Sequence, residues 1–278
     1  MKILNLLILT LVACAPIKQK GLSPKSAPPA LQRQFESDYH QSIYDSFNFE
    51  YNYTDDPADA RAFDAACYIL DVDKDIVGSG ILITPGVVLT AAHVAIHVDS
   101  GYIQFSKEDI YIPIEDLWLQ PEWALSPAKS HDIALLKLEC EVAEVTPIPI
   151  ASKSTHLERY MANIFTVGCS LRYKKQSYPT VMFYYGTLIT EVTELKLRSN
   201  TTSIWFGDSG GPVVKRGWNG SLVVVGVLAS FTVFQGDLMD FSATDVRQYF
   251  EELNSVIKGW ENQPQDSVLG VCSGNPQP

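Results

Sequence analysis

His93, Asp132 and Ser209 are of the residue types that turn a hydroxyl into a nucleophile. A serine hydroxyl attacks poorly near neutral pH; it needs a base beside it and donors for the oxyanion that forms. In Gly207-Asp208-Ser209-Gly210-Gly211-Pro212, glycine stands on both sides of Ser209. The glycine before it lets the backbone turn so that amides converge on one spot. The glycines after it let substrate and a neighbouring strand come close. Asp-Ser-Gly-Gly alone also suits an ordinary turn, but two further segments accompany it. Thr90-Ala91-Ala92-His93-Val94 follows the apolar Val87-Val88-Leu89 and offers an imidazole behind small residues. Asp132-Ile133-Ala134-Leu135-Leu136-Lys137-Leu138 places an acid at the head of an apolar run. A buried carboxylate there would hold the imidazole in the tautomer that accepts the serine proton. The order is His, Asp, Ser, at sequence separations of 39 and then 77.

Side chains so far apart must be positioned by tertiary structure. From about Cys67 onward, short runs rich in Val, Ile, Tyr and Phe are separated by Gly, Pro, Asn or Asp. They fall at 67–70, 80–84, 87–90, 102–105, 133–138, 164–167, 181–189, 213–214 and 222–228. Many short strands with turn signals point to an all-β sandwich or barrel. One helix is expected near the end, capped by Thr244, with Val246, Tyr249, Phe250, Leu253, Val256 and Ile257 at helical spacing. No internal repeat is visible.

Together and in this order, the three segments resemble the signatures of the trypsin/chymotrypsin-like serine peptidases, over roughly residues 65–260. The resemblance implies two six-stranded antiparallel β-barrels with the site between them, and a C-terminal helix. It implies Ser209 as nucleophile and His93 as general base and then acid. Asp132 would orient His93, and the amides of Gly207 and Ser209 would form the oxyanion hole. Peptide bonds would be hydrolysed through an acyl-enzyme, with no cofactor and with proteins or peptides as substrates. The resemblance also locates a primary specificity pocket. The position where trypsin-like enzymes hold an Asp is Ser203 here, so preference for Lys or Arg is not expected. Ala229 and Phe231 fall on one pocket wall and Phe241 on the other, where bulky side chains would narrow it. Trp205 and Phe206 suit a cleft lining or a core equally.

Some features depart from the family or compete with it. Ile76-Val77-Gly78 looks superficially like the new N-terminus of an activated zymogen. It precedes Thr90 too closely, however, and aligns with a strand of the first barrel, so activation of that kind is not expected. Asp208 would then be held by some other donor. His97 follows His93 by four, but Val94 stands where a zinc-binding HExxH helix has Glu, so no metal site is expected. His131 should face away from Asp132's partner, since neighbouring strand residues alternate. His40 and His156 have no constellation around them. Arg172-Tyr173-Lys174-Lys175 reads as a solvated loop. The alternative function is a catalytically silent binding or regulatory protein on the same fold; the complete triad argues against it. An esterase of the Gly-x-Ser-x-Gly type is disfavoured by the motif and by the chain order.

The chain has 278 residues, with 21 basic and 32 acidic side chains and a net charge of −11. That argues against nucleic acid as a partner, because phosphate contacts need a basic footprint. Lys2 and the apolar run from Ile3 to Ala13 read as a signal peptide over 1–13, too short to span a bilayer. Leu11-Val12-Ala13-Cys14 resembles the lipobox of bacterial lipoproteins, with Cys14 as the lipidated residue; an ordinary cleaved signal is the other reading. The lipoprotein reading puts the protein in the cell envelope, held on a membrane by its N-terminus, at the outer membrane if the cell is Gram-negative. Residues 14–34, Pro-rich and basic, read as a flexible tether. Residues 35–64 form an acidic, aromatic extension, 65–262 the peptidase domain and 263–278 a C-terminal tail. Cys67, Cys140, Cys169 and Cys272 are expected to form two disulfides, with three connectivities open.

Overall fold

Strands form here where β-branched and aromatic runs fit a pleated, half-buried surface. The computed structural model describes residues 64–105, 110–125, 130–157, 164–168, 183–187, 189–193, 196–199, 207–217, 219–234, 237–262 and 272. The expected signal peptide and tether lie outside these residues. So do the aromatic extension, apart from Asp64, and the tail, apart from Cys272.

The first lobe contains β1 (Ala66–Leu70), β2 (Ile76–Thr84), β3 (Val87–Thr90), β4 (Tyr102–Phe105), β5 (Ile112–Leu119) and β6 (Ala134–Leu138). They close into an antiparallel barrel in the order β1-β2-β3-β6-β5-β4, with β1 also pairing β4. Ile69, Ile81, Leu89, Ile103, Leu135 and Leu136 are fully buried in its core. Each such side chain withdrawn from water contributes about 1.5–3 kcal/mol. One helical turn, α1 (Ala92–Ala95), follows β3 and carries His93.

The second lobe contains β7 (Ile164–Gly168), β8 (Phe183–Thr187), β9 (Ile189–Val192), β10 (Lys196–Ser199), β11 (Pro212–Arg216), β12 (Leu222–Phe234) and β13 (Asp237–Asp245). These make a seven-stranded sheet in the order β8-β7-β11-β12-β13-β10-β9. The closed six-stranded barrel expected here is not seen: among the described residues the sheet has seven strands and no hydrogen-bonded closure. Its two edge strands, β8 and β9, are nonetheless consecutive in the chain, with one residue between Thr187 and Ile189. Two Cα atoms that far apart in sequence reach at most about 7 Å, which brings the Thr187 end of β8 near the Ile189 end of β9. A second core, with Ile164, Leu197, Val213, Leu228, Phe241 and Ala243, lies within this lobe.

The C-terminal helix begins later than the sequence suggests. β13 runs through Thr244 to Asp245, a 3-10 turn covers Val246–Tyr249, and α2 spans Phe250–Glu261. Asp245, not Thr244, caps the turn, its side chain accepting from the Arg247 amide. Leu253, Ile257 and Trp260 recur on one face of α2 and join the first lobe's core. Trp260 Nε1 donates to Asp116 Oδ2 on β5 at 3.0 Å, beside a break in strand register that follows Ile114. Cys140, just after β6, is disulfide-bonded to Cys272, whose amide donates to the Glu141 carbonyl at 3.0 Å. Of the two expected bridges this is the one described. Cys67 is buried in β1, and Cys169 lies outside the described residues.

Candidate active site

β3 ends at Thr90, and the chain turns through Ala91 into α1, which delivers His93 into the interior. Ala91, Ala92 and Ala95 are fully buried, so small side chains here allow close packing against β2. Asp132 stands just before β6, which pairs with β3 from Thr90↔Ala134 onward. That pairing sets the acid beside the histidine. Asp132 Oδ2 lies 2.6 Å from His93 Nδ1, and Oδ1 accepts from the His93 amide at 2.9 Å. His93 is 1% exposed and Asp132 2%, so water does not compete for either contact. An ionised carboxylate can only accept; Nδ1 then donates, and Nε2 keeps its lone pair. The second lobe also holds Asp132, since Thr244 Oγ1 on β13 donates to its backbone oxygen at 3.0 Å.

Ser209 sits in a buried turn between Gly207 and Gly210, whose φ values are 94° and 81°. Only glycine adopts these angles without strain. A Cβ on Gly210 would overlap Thr90 Oγ1 and the Ser79 carbonyl, so the turn rests directly on the segment leading to His93. Gly78 on β2 is a second point of close approach. An added Cβ there would fall 2.7 Å from Val94 Cγ1 and 2.9 Å from the Ser209 carbonyl oxygen. The residue after His93 and the backbone of Ser209 therefore flank the same glycine. On its other side the turn is bonded to β12: Gly210 donates to the Leu228 carbonyl at 2.8 Å and Leu228 to the Gly211 carbonyl at 2.9 Å.

A family model described as a trypsin-like peptidase domain matches residues 78–227, more than half of the chain, from Gly78 on β2 to Val227 on β12. The chain belongs to the trypsin-like peptidase family. No curated protein matches it. The match includes His93, Asp132 and Ser209. It leaves out β1, which closes the barrel, and β13, which supplies Thr244.

In this trypsin-like peptidase the remaining residues singled out in the sequence are placed as follows. Ala229 directly follows Leu228 and is buried beside the Ser209 turn. Phe241 is 1% exposed within the second core and is the register partner of Phe231. Ser203, Trp205 and Phe206 lie outside the described residues, as does Cys14. Asp208 is buried with its carboxylate packed on Gly168, where a Cβ would overlap it. His131, at φ 65°, shares a 2.8 Å hydrogen bond with Tyr249 Oη and lies 3.3 Å from Glu122 Oε2. Burial, and then the carboxylates of Glu122, Glu252 and Asp245, raise the Tyr249 phenol well above its ordinary range. Among the described residues no cluster of His, Cys, Asp and Glu could hold a metal ion.

Three residues near the site were not legible as such. Burial, and then the charge of His93, push the His97 imidazole down. Lys196 on β10 is the register partner of Thr244. Burial and then the charge of Arg198 lower its ammonium, while the charge of Asp132 partly offsets them. Ser79 is the third. Its one sequence signal is a polar residue between two glycines inside an otherwise apolar strand.

Proposed function

We propose that this protein is a serine endopeptidase that works through an acyl-enzyme on Ser209. His93 Nε2 takes the Ser209 Oγ proton as Oγ adds to the peptide carbonyl carbon. The carbonyl oxygen becomes an oxyanion facing the amides of Gly207 and Ser209. His93 then gives the proton to the departing amine, and water repeats the sequence to free the acid. Asp132 holds the imidazole tautomer and offsets the charge of the imidazolium. The observation that carries this reading is the buried 2.6 Å contact between His93 Nδ1 and Asp132 Oδ2, with the Ser209 turn packed on the residues leading to His93. β8 and β9 are read as one bent strand of a second barrel.

Substrates on this reading are proteins or peptides, cut after small side chains and not after Lys or Arg. Support comes from Ser203, in place of the Asp that selects basic residues, and from Phe231 and Phe241 at the positions the family resemblance assigns to the pocket walls. A fluorophosphonate probe should label the folded protein, and peptide mapping should put the adduct on Ser209. The same protein should cleave a peptide library away from Lys and Arg, with Ser209→Ala as the blank. A folded protein that takes no label and cuts nothing would overturn the assignment.

The N-terminus supports export and lipid attachment through Cys14, by its Lys2, apolar Ile3–Ala13 run and Leu11-Val12-Ala13-Cys14 ending. Acyl chains contribute about 0.8 kcal/mol per buried CH₂, so several on one Cys hold a domain at a membrane. Intact-mass analysis of the mature protein should find residues 1–13 removed and Cys14 acylated. An unmodified N-terminus elsewhere would refute the anchor.

A further inference from the structure

We infer that Ser79 is a positioning residue that holds the peptide planes on either side of the Ser209 oxyanion amide, an inference that rests on the peptidase reading above. Ser79 lies on β2, fully buried, and makes three hydrogen bonds to the two halves of the site. Its amide donates to the Ser209 carbonyl at 2.8 Å. Its Oγ donates to the Gly207 carbonyl at 2.7 Å, across 128 residues of sequence. Its own carbonyl accepts from Thr90 Oγ1 at 2.8 Å, three residues before His93.

Each held carbonyl fixes a peptide plane. Ser79 fixes the planes that follow Gly207 and Ser209, and the Gly211 amide, donating to the Asp208 carbonyl at 2.9 Å, fixes the plane between them. Three consecutive planes are thereby immobilised, and the middle one carries the Ser209 amide that would receive the oxyanion. The Oγ bond matters most at Gly207. Glycine at φ 94° has wide freedom, and holding its carbonyl fixes the plane that leads into Asp208, so the next plane, which carries the Ser209 amide, starts from a fixed point. Donors aimed before the reaction stabilise developing charge without reorganising during it. Gly78 and Gly80 on either side leave room for the close approach, since a Cβ at Gly78 would crowd the Ser209 carbonyl. Through Thr90 the same residue ties the nucleophile turn to the histidine segment.

The test uses the full chain, with p-nitrophenyl butyrate as substrate and the fluorophosphonate as inactivator. Loss of one oxyanion donor costs about 100- to 1000-fold in kcat; loss of a residue that aims one should cost less. Ser79→Ala should therefore lower kcat and the limiting inactivation rate together, by about tenfold to fiftyfold, with KM and the inactivator's binding constant within about twofold. Trp260→Phe, which loses a hydrogen bond outside the site, should lower thermal stability and leave kcat unchanged. If Ser79→Ala does not fold, Ser79→Cys fills the same space with a longer, weaker donor and should show the same selective fall in kcat. Wild-type kcat in a folded hydroxyl-less variant, or a loss confined to KM and stability, would overturn the inference. A wild-type protein that neither turns over nor takes the probe would instead overturn the peptidase reading.

Discussion

Replacing Asp132 with asparagine should lower kcat about ten-thousandfold while the protein stays folded, the effect known for this substitution in a buried Asp–His–Ser triad. The cause is a tautomer. Asp132 accepts twice from His93, from the backbone amide at Oδ1 and from Nδ1 at Oδ2. Asparagine has one acceptor and one donor group in the same outline. If its oxygen keeps the bond to the His93 amide, its NH₂ group faces Nδ1, which must then accept. The imidazole proton moves to Nε2, the atom that takes the proton of Ser209 in the proposed mechanism. The geometry survives and the base is lost. Steady-state kinetics on a peptide substrate checks this, with KM expected to change little and thermal unfolding by only a few degrees. Activity within about tenfold of wild type would mean that Asp132 does not set the tautomer.

Asp132 and His93 were legible because each heads or follows an apolar run whose strand character is local. β3 and β4 coincide with the sequence reading at both ends, because Val87–Thr90 and Tyr102–Phe105 are unbroken by acids. β5 and β13 were missed for the opposite reason. Glu115 and Asp116 interrupt the first, and both are exposed where the register of β5 against β6 shifts and the regular alternation of faces is broken. Asp237, Asp240 and Asp245 punctuate the second, and a helix start placed at Thr244 hid its end. Thr244 carries a side chain suited to a cap, and local chemistry alone favours that use. What decides otherwise is the Asp132 carbonyl, 112 residues away in the chain. Ser79 is the same kind of case, with its partner 128 residues away. The proposed triad has motifs because the chemistry assigned to it demands particular side chains. The residues that aim it use backbone carbonyls, which leave no mark on the sequence, so the scaffold of the site emerges only with the fold.

A second large effect is expected where no chemistry occurs. Asp245, fully buried at the end of β13, accepts from Arg247 Nε at 2.9 Å, from Nη2 at 2.6 Å and from the Arg247 amide at 3.1 Å. Arg247 Nη1 donates to the Thr155 carbonyl at 2.9 Å. The pair thus joins the last strand, the 3-10 turn before α2 and the 151–157 segment. Such a pair does not stabilise in proportion to its attraction, because both ions leave water to form it. Removing one partner is another matter, since the other stays buried with its charge uncompensated. Arg247→Met should cost about 3–5 kcal/mol. For a domain of this size that lowers Tm by roughly 6–20 °C, at about 2–4 °C per kcal/mol. Asp245→Leu with Arg247→Met removes both charges and should recover much of the loss. A deficit of about 1 kcal/mol should persist, because the cap on the Arg247 amide is still missing. Denaturant unfolding of the two single variants and the double variant closes the cycle. If the double variant is as unstable as the two single losses added, the residues do not act as a pair, and the join between strand and helix rests on the apolar face of α2 alone.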